Sequence, residues 1–424
     1  MSSEICRELI DFLESSPTSF HAVSSMSDKL AQAGFCELKE DQKWSVRPGG
    51  QYYVTRNSSS LIAFTIPHGT MEGMRIIASH SDSPSFKIKE NPELEAEGHY
   101  IRLNVERYGG MLLAPWFDRP LSVAGRVIVK DDRTGTFREL LVNVDRDLVM
   151  IPNLAIHMNR EANNGHKYDL QKELLPLYGG LSAKGSFMTA IASAAGITED
   201  DILGHDLFLY NRQKASVWGA SGEYISCGRL DDLQCAYASL KGFVLGRKEQ
   251  HMAVHCVLDN EEVGSGTKQG AASTFLCDTL TRALESLGLS REDYLIHLAK
   301  SFMLSADNAH AVHPNYPEKA DPSNRPYINE GIVLKFNAAQ KYCTDAVSAA
   351  MFRDICRTAG VPLQTFTNRS DMAGGSTLGN ISGTQVAVNT ADIGLPQLSM
   401  HSPYETAGVK DTEYMVRAAE VFFS

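Results

Sequence analysis

Residues 251–270 read HMAVHCVLDNEEVGSGTKQG. The first eight, His251–Leu258, form a short apolar run of strand type. Asp259-Asn260-Glu261-Glu262-Val263-Gly264-Ser265 then leaves that run as a turn. Gly266 to Gly270 read as the opening of a helix that continues through Phe275, Leu276, Leu280 and Leu284 until Gly288 stops it. Two adjacent carboxylates thus stand where a buried strand ends. Successive residues of an extended chain face opposite ways, so Glu261 and Glu262 cannot easily share one job. One can ligate a metal while the other serves as general base towards water. An acidic first helical turn, favoured by the helix dipole, is the commoner origin of an isolated Glu-Glu pair. The rest of the chain decides between the two.

Around this stretch the rhythm is strand, loop, helix. Upstream, Leu230–Leu245 has a helical pattern and starts at Arg229-Leu230-Asp231-Asp232. Downstream, Leu295, Leu298 and Phe302 mark another helical stretch, and Phe302-Met303-Leu304-Ser305 leads into Asp307. Then come a strand at Ile332–Phe336, a helix at Ala346–Ala359, strands near Gln364–Thr367 and Thr384–Asn389, and an amphipathic helix at Lys410–Phe423. At the other end, residues 3–15 and Thr18–Ala33 have helical spacing, with Ser2 or Ser3 as the first cap. Strand-like pieces follow at Gln51–Thr55, Ser60–Pro67 and Met74–Ala78, the last leading into His80. Between about Asn91 and Gly222 the texture changes: segments such as HYIRLNV and SVAGRVIVK alternate, with Gly, Asp and Pro turns between them. The expected organisation is an α/β domain made of residues 1–90 and 223–424, interrupted by a β-rich insertion over 91–222. Its mostly parallel sheet, flanked by helices, places ligands at the carboxyl ends of the strands.

Composition narrows the class. The chain has 424 residues, 43% hydrophobic and 21% charged, the profile of a globular protein rather than a disordered one. A formal net charge of −11 argues against nonspecific binding to nucleic acid. Eight cysteines without a CxxC spacing fit free thiols in a reducing compartment better than a disulfide framework. No apolar run approaches membrane-spanning length and the N-terminus has no leader-like succession, so the expected location is cytoplasmic, with no membrane partner.

Five places put a His or an acid where a short apolar segment meets a loop: His80-Ser81-Asp82, Asp231-Asp232, Glu261-Glu262, Asp307 and His401. Histidine plus carboxylates is the donor set of zinc or manganese in hydrolytic sites. A two-metal site also needs a bridging carboxylate, and in His-x-Asp the acid can hold the imidazole's second nitrogen. Each place alone is more often a satisfied structural residue or a helix cap. His310 and His313 could be ligands, substrate contacts or packing residues, and spacing does not decide among these.

In order, the blocks HSDSPSFKIK, GRLDD, DNEEVGS, SADNAHAVHPNYPEK, GIVLKFNAAQKY and MHSPYE, with PNLAIHMNR in the insertion, resemble the M18 (aspartyl) aminopeptidases, closest in form to the bacterial members. The match extends over nearly the whole chain, and six ordered motifs make it highly specific.

The resemblance implies a zinc-exopeptidase-like fold and a dizinc aminopeptidase that removes single N-terminal residues, acidic ones first. Cobalt or manganese could replace zinc. His80 and Asp307 would hold one ion, Glu262 and His401 the other, with Asp231 bridging. Glu261 would be the general base, and Asp82 would orient His80. His157 would act in a neighbouring subunit's site, stabilising the oxyanion. His310, Lys335 and Tyr342 would line the substrate pocket, the lysine suiting an acidic side chain, although a strand lysine more often faces solvent. The implied partners are peptides and copies of the chain itself, in a tetrahedral dodecamer built from dimers. Two departures stand out. Asp232 replaces the usual Asn after the bridging residue, leaving Asp231 and Asp232 as rival bridges. Tyr404 replaces the usual Arg of the last motif. Alternatives are the same two-metal site acting on another class of N-terminal residue, a carboxypeptidase or deacylase using the same metals, and a non-catalytic assembly protein that has kept only the fold.

Overall fold

The computed structural model describes residues 4–131, 133–375 and 377–424. Ser2 and Ser3, the expected first cap, lie outside these. The chain divides into two compact units: residues 1–82, 215–400 and 405–424 form one, residues 83–214 and 401–404 the other.

The first unit is built on a nine-stranded sheet. In spatial order its strands are Cys36–Leu38, Gln51–Arg56, Ser60–Thr65, Met252–Leu258, Met74–His80, Phe302–Ala306, Asn389–Gly394, Ile332–Phe336 and Leu363–Thr367. Five of the pairings are parallel and three antiparallel, so the sheet is mostly parallel, as expected. The quoted stretch shows why it forms. Every residue of Met252–Leu258 is buried, and the side chains part by the two-residue period of a strand. Ala253 and Val257 join the core of one face, which includes residues of the helices Glu4–Glu14, Ser19–Gln32, Leu230–Leu245 and Asp411–Phe422. Met252, Val254, Cys256 and Leu258 join the other, with the helices Phe275–Ser286 and Arg291–Ala299. A five-stranded sheet completes the unit, in the order Ser216–Trp218, Tyr224–Cys227, Glu405–Gly408, Pro396–Leu398, Ala309–His310.

Two local readings need correction. Residues 266–270 do not start the helix, which begins at Phe275. They turn instead: Thr267 Oγ1 and Gln269 Nε2 both donate to Asn260 Oδ1, at 2.9 and 2.8 Å. The strand expected near Thr384–Asn389 runs over Asn389–Gly394. The preceding residues instead close a turn, with the N–H groups of Gln385 and Val386 donating to Ser382 O.

The second unit is β-rich. Its antiparallel six-stranded sheet has the order Phe137–Asn143, Leu121–Lys130, Gly204–Asn211, Ser85–Ala96, Tyr100–Tyr108, Leu177–Gly180. One face packs on the helix Phe187–Ala195 around Phe86, Trp116, Val123 and Leu207. Among the described residues, no helix is long and apolar enough to cross a membrane.

Candidate metal centre

Three neighbouring strands of the large sheet, Met252–Leu258, Met74–His80 and Phe302–Ala306, run parallel, with Leu258 opposite His80. Their carboxyl ends therefore lie side by side. This juxtaposition brings together His80, Glu261, Glu262 and Asp307, which the sequence keeps far apart.

The turn after Leu258 is shaped by backbone and caps. Asn260 and Gly264 adopt left-handed conformations at either end of the short helical turn Glu261–Val263. Ser265 N–H donates to Asn260 O at 2.8 Å. The Asp82 carboxylate accepts from the N–H groups of Glu261 and Glu262 at 3.1 and 3.2 Å, so it acts as the cap of this turn. A Cβ on Gly270 would come within 2.3 Å of Ser265 O, so this close approach requires glycine.

His80 is buried and fixed at three points. Its N–H donates to Asp232 Oδ2 at 3.1 Å. Its Nδ1 lies 3.0 Å from the Asp82 carbonyl and 3.5 Å from that residue's carboxylate. A carbonyl only accepts, so Nδ1 carries a proton and Nε2 is the nitrogen left to face an ion. Nε2 faces Asp231 Oδ1 at 3.7 Å. The sequence reading assigned the orienting contact to the carboxylate of Asp82; the main-chain carbonyl is the closer group.

Ligand-type atoms of His80, Asp231 and Asp307 all lie within 4.8 Å of one another, as do those of His80, Glu261 and Glu262, and those of Asp231 and Glu262. Asp231 belongs to these groups and Asp232 does not. Asp231 is held in turn by Glu405, whose Oε2 accepts the Asp231 N–H at 3.0 Å.

The electrostatics are those of crowded, buried acids. Burial, then neighbouring carboxylates, push Glu262, Asp232 and Asp307 up from the usual range. Burial raises Glu261 to about 8, with Asp307, Asp82 and Asp231 adding to it and His80 opposing. Burial opposes charge on His80, but Asp231 and Asp82 outweigh it and raise its pKa well above the ordinary value. Lys335 Nζ, 3.9 Å from Asp307, is a cation set against this group. Buried carboxylates in such excess are costly unless a cation joins them. An imidazole Nε2, once a cation displaces its proton, and carboxylate oxygens form a donor set that suits zinc, so the residues present fit that ion.

Of the three expected pocket residues, Lys335 and Tyr342 lie together, and the rings of His310 and Tyr342 each lie 6.2 Å from Phe366. His310 lines a cavity of about 340 Å³, with His313, Lys319, Phe366, Arg369 and Gln397 among its walls. Lys335 is buried: its Nζ donates to Asn308 O at 2.9 Å and lies 5.4 Å above the Tyr342 ring. His157 is exposed on an irregular segment of the β-rich unit. His401 begins the segment that belongs to that unit, and its carbonyl accepts from Leu112 N–H at 3.1 Å. Sequence reasoning passed over Glu405 and the cap on the glutamate turn. An acid inside an otherwise apolar and small-residue strand, Glu405–Gly408, was the available signal for the first.

Comparison with known proteins bears on this geometry. The family model described as "Aminopeptidase I zinc metalloprotease (M18)" matches residues 12–423. The "Probable M18 family aminopeptidase 2" of Clostridium acetobutylicum is 47% identical over 428 residues, covering 99% of both chains. That of Ectopseudomonas mendocina is 41% identical over 432 residues, covering 100% of this chain and 99% of its own. Among solved structures, one titled as the Ape4 and Nbr1 complex superposes with a TM-score of 0.96 at 36% identity, covering 99% of this chain and 85% of that one. The S. cerevisiae mApe1 dodecamer gives 0.87 at 27% identity, covering 99% and 96%.

Proposed function

Because the chain belongs to the M18 family and is a zinc-dependent aminopeptidase, we propose that it works with two zinc ions and a glutamate base. The observation that carries this reading is the convergence of His80, Asp231, Glu261, Glu262 and Asp307 at the ends of adjacent strands. His80 and Asp307 would hold one ion, Glu262 and His401 the other, and Asp231 would bridge. Zinc bound there supplies Lewis acidity to the scissile carbonyl and acidifies water towards neutral pH. Glu261 takes the proton from the attacking water and returns it to the departing amine. His157 donates to the oxyanion of the tetrahedral intermediate. The surplus of carboxylates favours a free, positively charged N-terminus, which suits removal of one residue at a time.

We further propose a preference for acidic N-terminal residues, supported by the fixed positive charge of Lys335 and by the imidazoles and cations around the cavity that His310 lines. The assembly proposed is a tetrahedral dodecamer built from dimers. Its support is the dodecameric mApe1 relative and the exposed apolar Leu154, Ile156 and Met158 flanking His157. The free cysteines support a cytoplasmic location. The test is Glu261→Gln: bound zinc is retained and turnover falls by at least 10³-fold. Turnover near the unmodified rate in that variant removes Glu261 as base.

A further inference from the structure

Residues 152–158 carry His157 without regular strand or helix. Among the described residues, the hydrogen bonds joining this segment to another part of the β-rich unit come from Asn153. Its backbone N–H donates to Asp118 Oδ1 at 2.9 Å, and its Nδ2 donates to Asp118 Oδ2 at 2.8 Å. Both carboxylate oxygens are engaged, and they hold the Asp118 carboxyl below its ordinary range.

The carboxylate is rooted in the core. Asp118 N–H donates to Ile151 O at 2.9 Å, and Phe117 bridges Ile151 in parallel. Trp116, Phe117 and Ile151 are all buried. Asp118 itself sits at φ +54°, a left-handed conformation that Asp and Asn tolerate better than most residues. On the other side of the grip, Met158 and Asn159 N–H both donate to Ala155 O, at 2.8 and 3.2 Å. His157 therefore lies inside a tight turn, and only Leu154 separates that turn from the gripped residue.

We propose that Asp118 is a positioning residue: by gripping Asn153 at two points it fixes the root of the loop that presents His157 to the reaction. The inference rests on the oxyanion role proposed above for His157. A two-point, charge-assisted grip sets direction as well as distance, whereas a single bond would leave a pivot. A displacement of about 1 Å at a reacting group can cost on the order of 10²-fold in rate. Asp118 and Asn153 are both exposed, so water replaces their bonds readily and the grip adds little to folding. Its loss therefore registers in rate rather than in stability.

The test uses the zinc-loaded, assembled enzyme and a reference aminoacyl substrate. Asp118→Gly removes the carboxylate while keeping the left-handed backbone free of strain. Asp118→Asn keeps one acceptor but sets an N–H against the other donor. The expected result is a kcat lowered about tenfold or more in Asp118→Gly and less in Asp118→Asn, with KM, zinc content and assembly size unchanged. Asn153→Ala should match Asp118→Gly. Because the grip acts through the imidazole, Asp118→Gly combined with His157→Ala should be no slower than His157→Ala alone. Unchanged kcat in Asp118→Gly beside a slow His157→Ala, or additive losses in the double variant, overturns the grip and leaves the oxyanion role standing. An unchanged rate in His157→Ala overturns both.

Discussion

His255 lies in the middle of the strand that ends at the glutamate turn, and acid should act on the fold through it. It is fully buried, with Nδ1 3.3 Å from Ser239 Oγ and its ring stacked on Phe243 at 5.9 Å. Burial lowers its pKa from 6.5 to about 3. The sign follows from linkage. The unfolded chain takes up a proton below pH ~6.5 and the folded one does not, so stability present above that pH is lost as pH falls towards ~3. At pH 5 the unfolded residue is about 1.5 pH units below its midpoint, which costs the fold roughly 2 kcal/mol at ~1.36 kcal/mol per unit. Replacement with Gln removes the titration. The assay is urea unfolding of both proteins at pH 7 and pH 5, reading the difference between them so that effects of acid on other groups cancel. The unmodified protein should lose about 2 kcal/mol more than His255→Gln over that interval. Parallel losses in the two proteins would refute the argument, because they would mean the imidazole takes up its proton alike in the folded and unfolded chains.

Two further predictions concern the glutamate turn. Asp82→Asn sets an amide N–H against one of the two backbone donors that the carboxylate now accepts from; zinc affinity should fall 10- to 100-fold, read by metal titration against a chelator. Gly270→Ala forces a Cβ onto the Ser265 carbonyl, 2.3 Å away; calorimetry should show a loss of about 1–3 kcal/mol, together with reduced activity.

Where the sequence was legible, one pattern carried the reading. Periodic apolar residues marked Ser19–Gln32 and Ala346–Ala359 as helices because each buries one stripe, whereas Leu230–Leu245 is buried almost all round. The run before Glu261 announced a strand buried on both faces. The Asn389–Gly394 strand was hidden by its own polar residues. Asp392 is fully buried there and accepts from Thr377 Oγ1 at 2.6 Å, while its N–H donates to Thr344 Oγ1 at 2.8 Å. Nothing near it in sequence shows those partners, whereas the β-branched residues just upstream imitate a strand. The residues that gather at the candidate metal centre could be picked out because each stands where a short apolar segment meets a loop. Their supports could not, since the Asp82 cap and the Glu405 contact join segments more than 170 residues apart. The place of Lys335 was hidden for a similar reason: a lysine in an apolar strand does not announce that a carbonyl and a buried acid await its ammonium.

The three parallel strands that end at the candidate metal centre have a consequence for how the protein matures. A growing chain that has reached Ala299 contains His80, Asp231 and both glutamates, but the strand bearing Asp307 has yet to form beside Met74–His80. Such a partial chain can pair Met74–His80 with Met252–Leu258, but it lacks Asp307 and the strand that places it. On the proposed reading, an ion held by both His80 and Asp307 would require that this part of the sheet has closed.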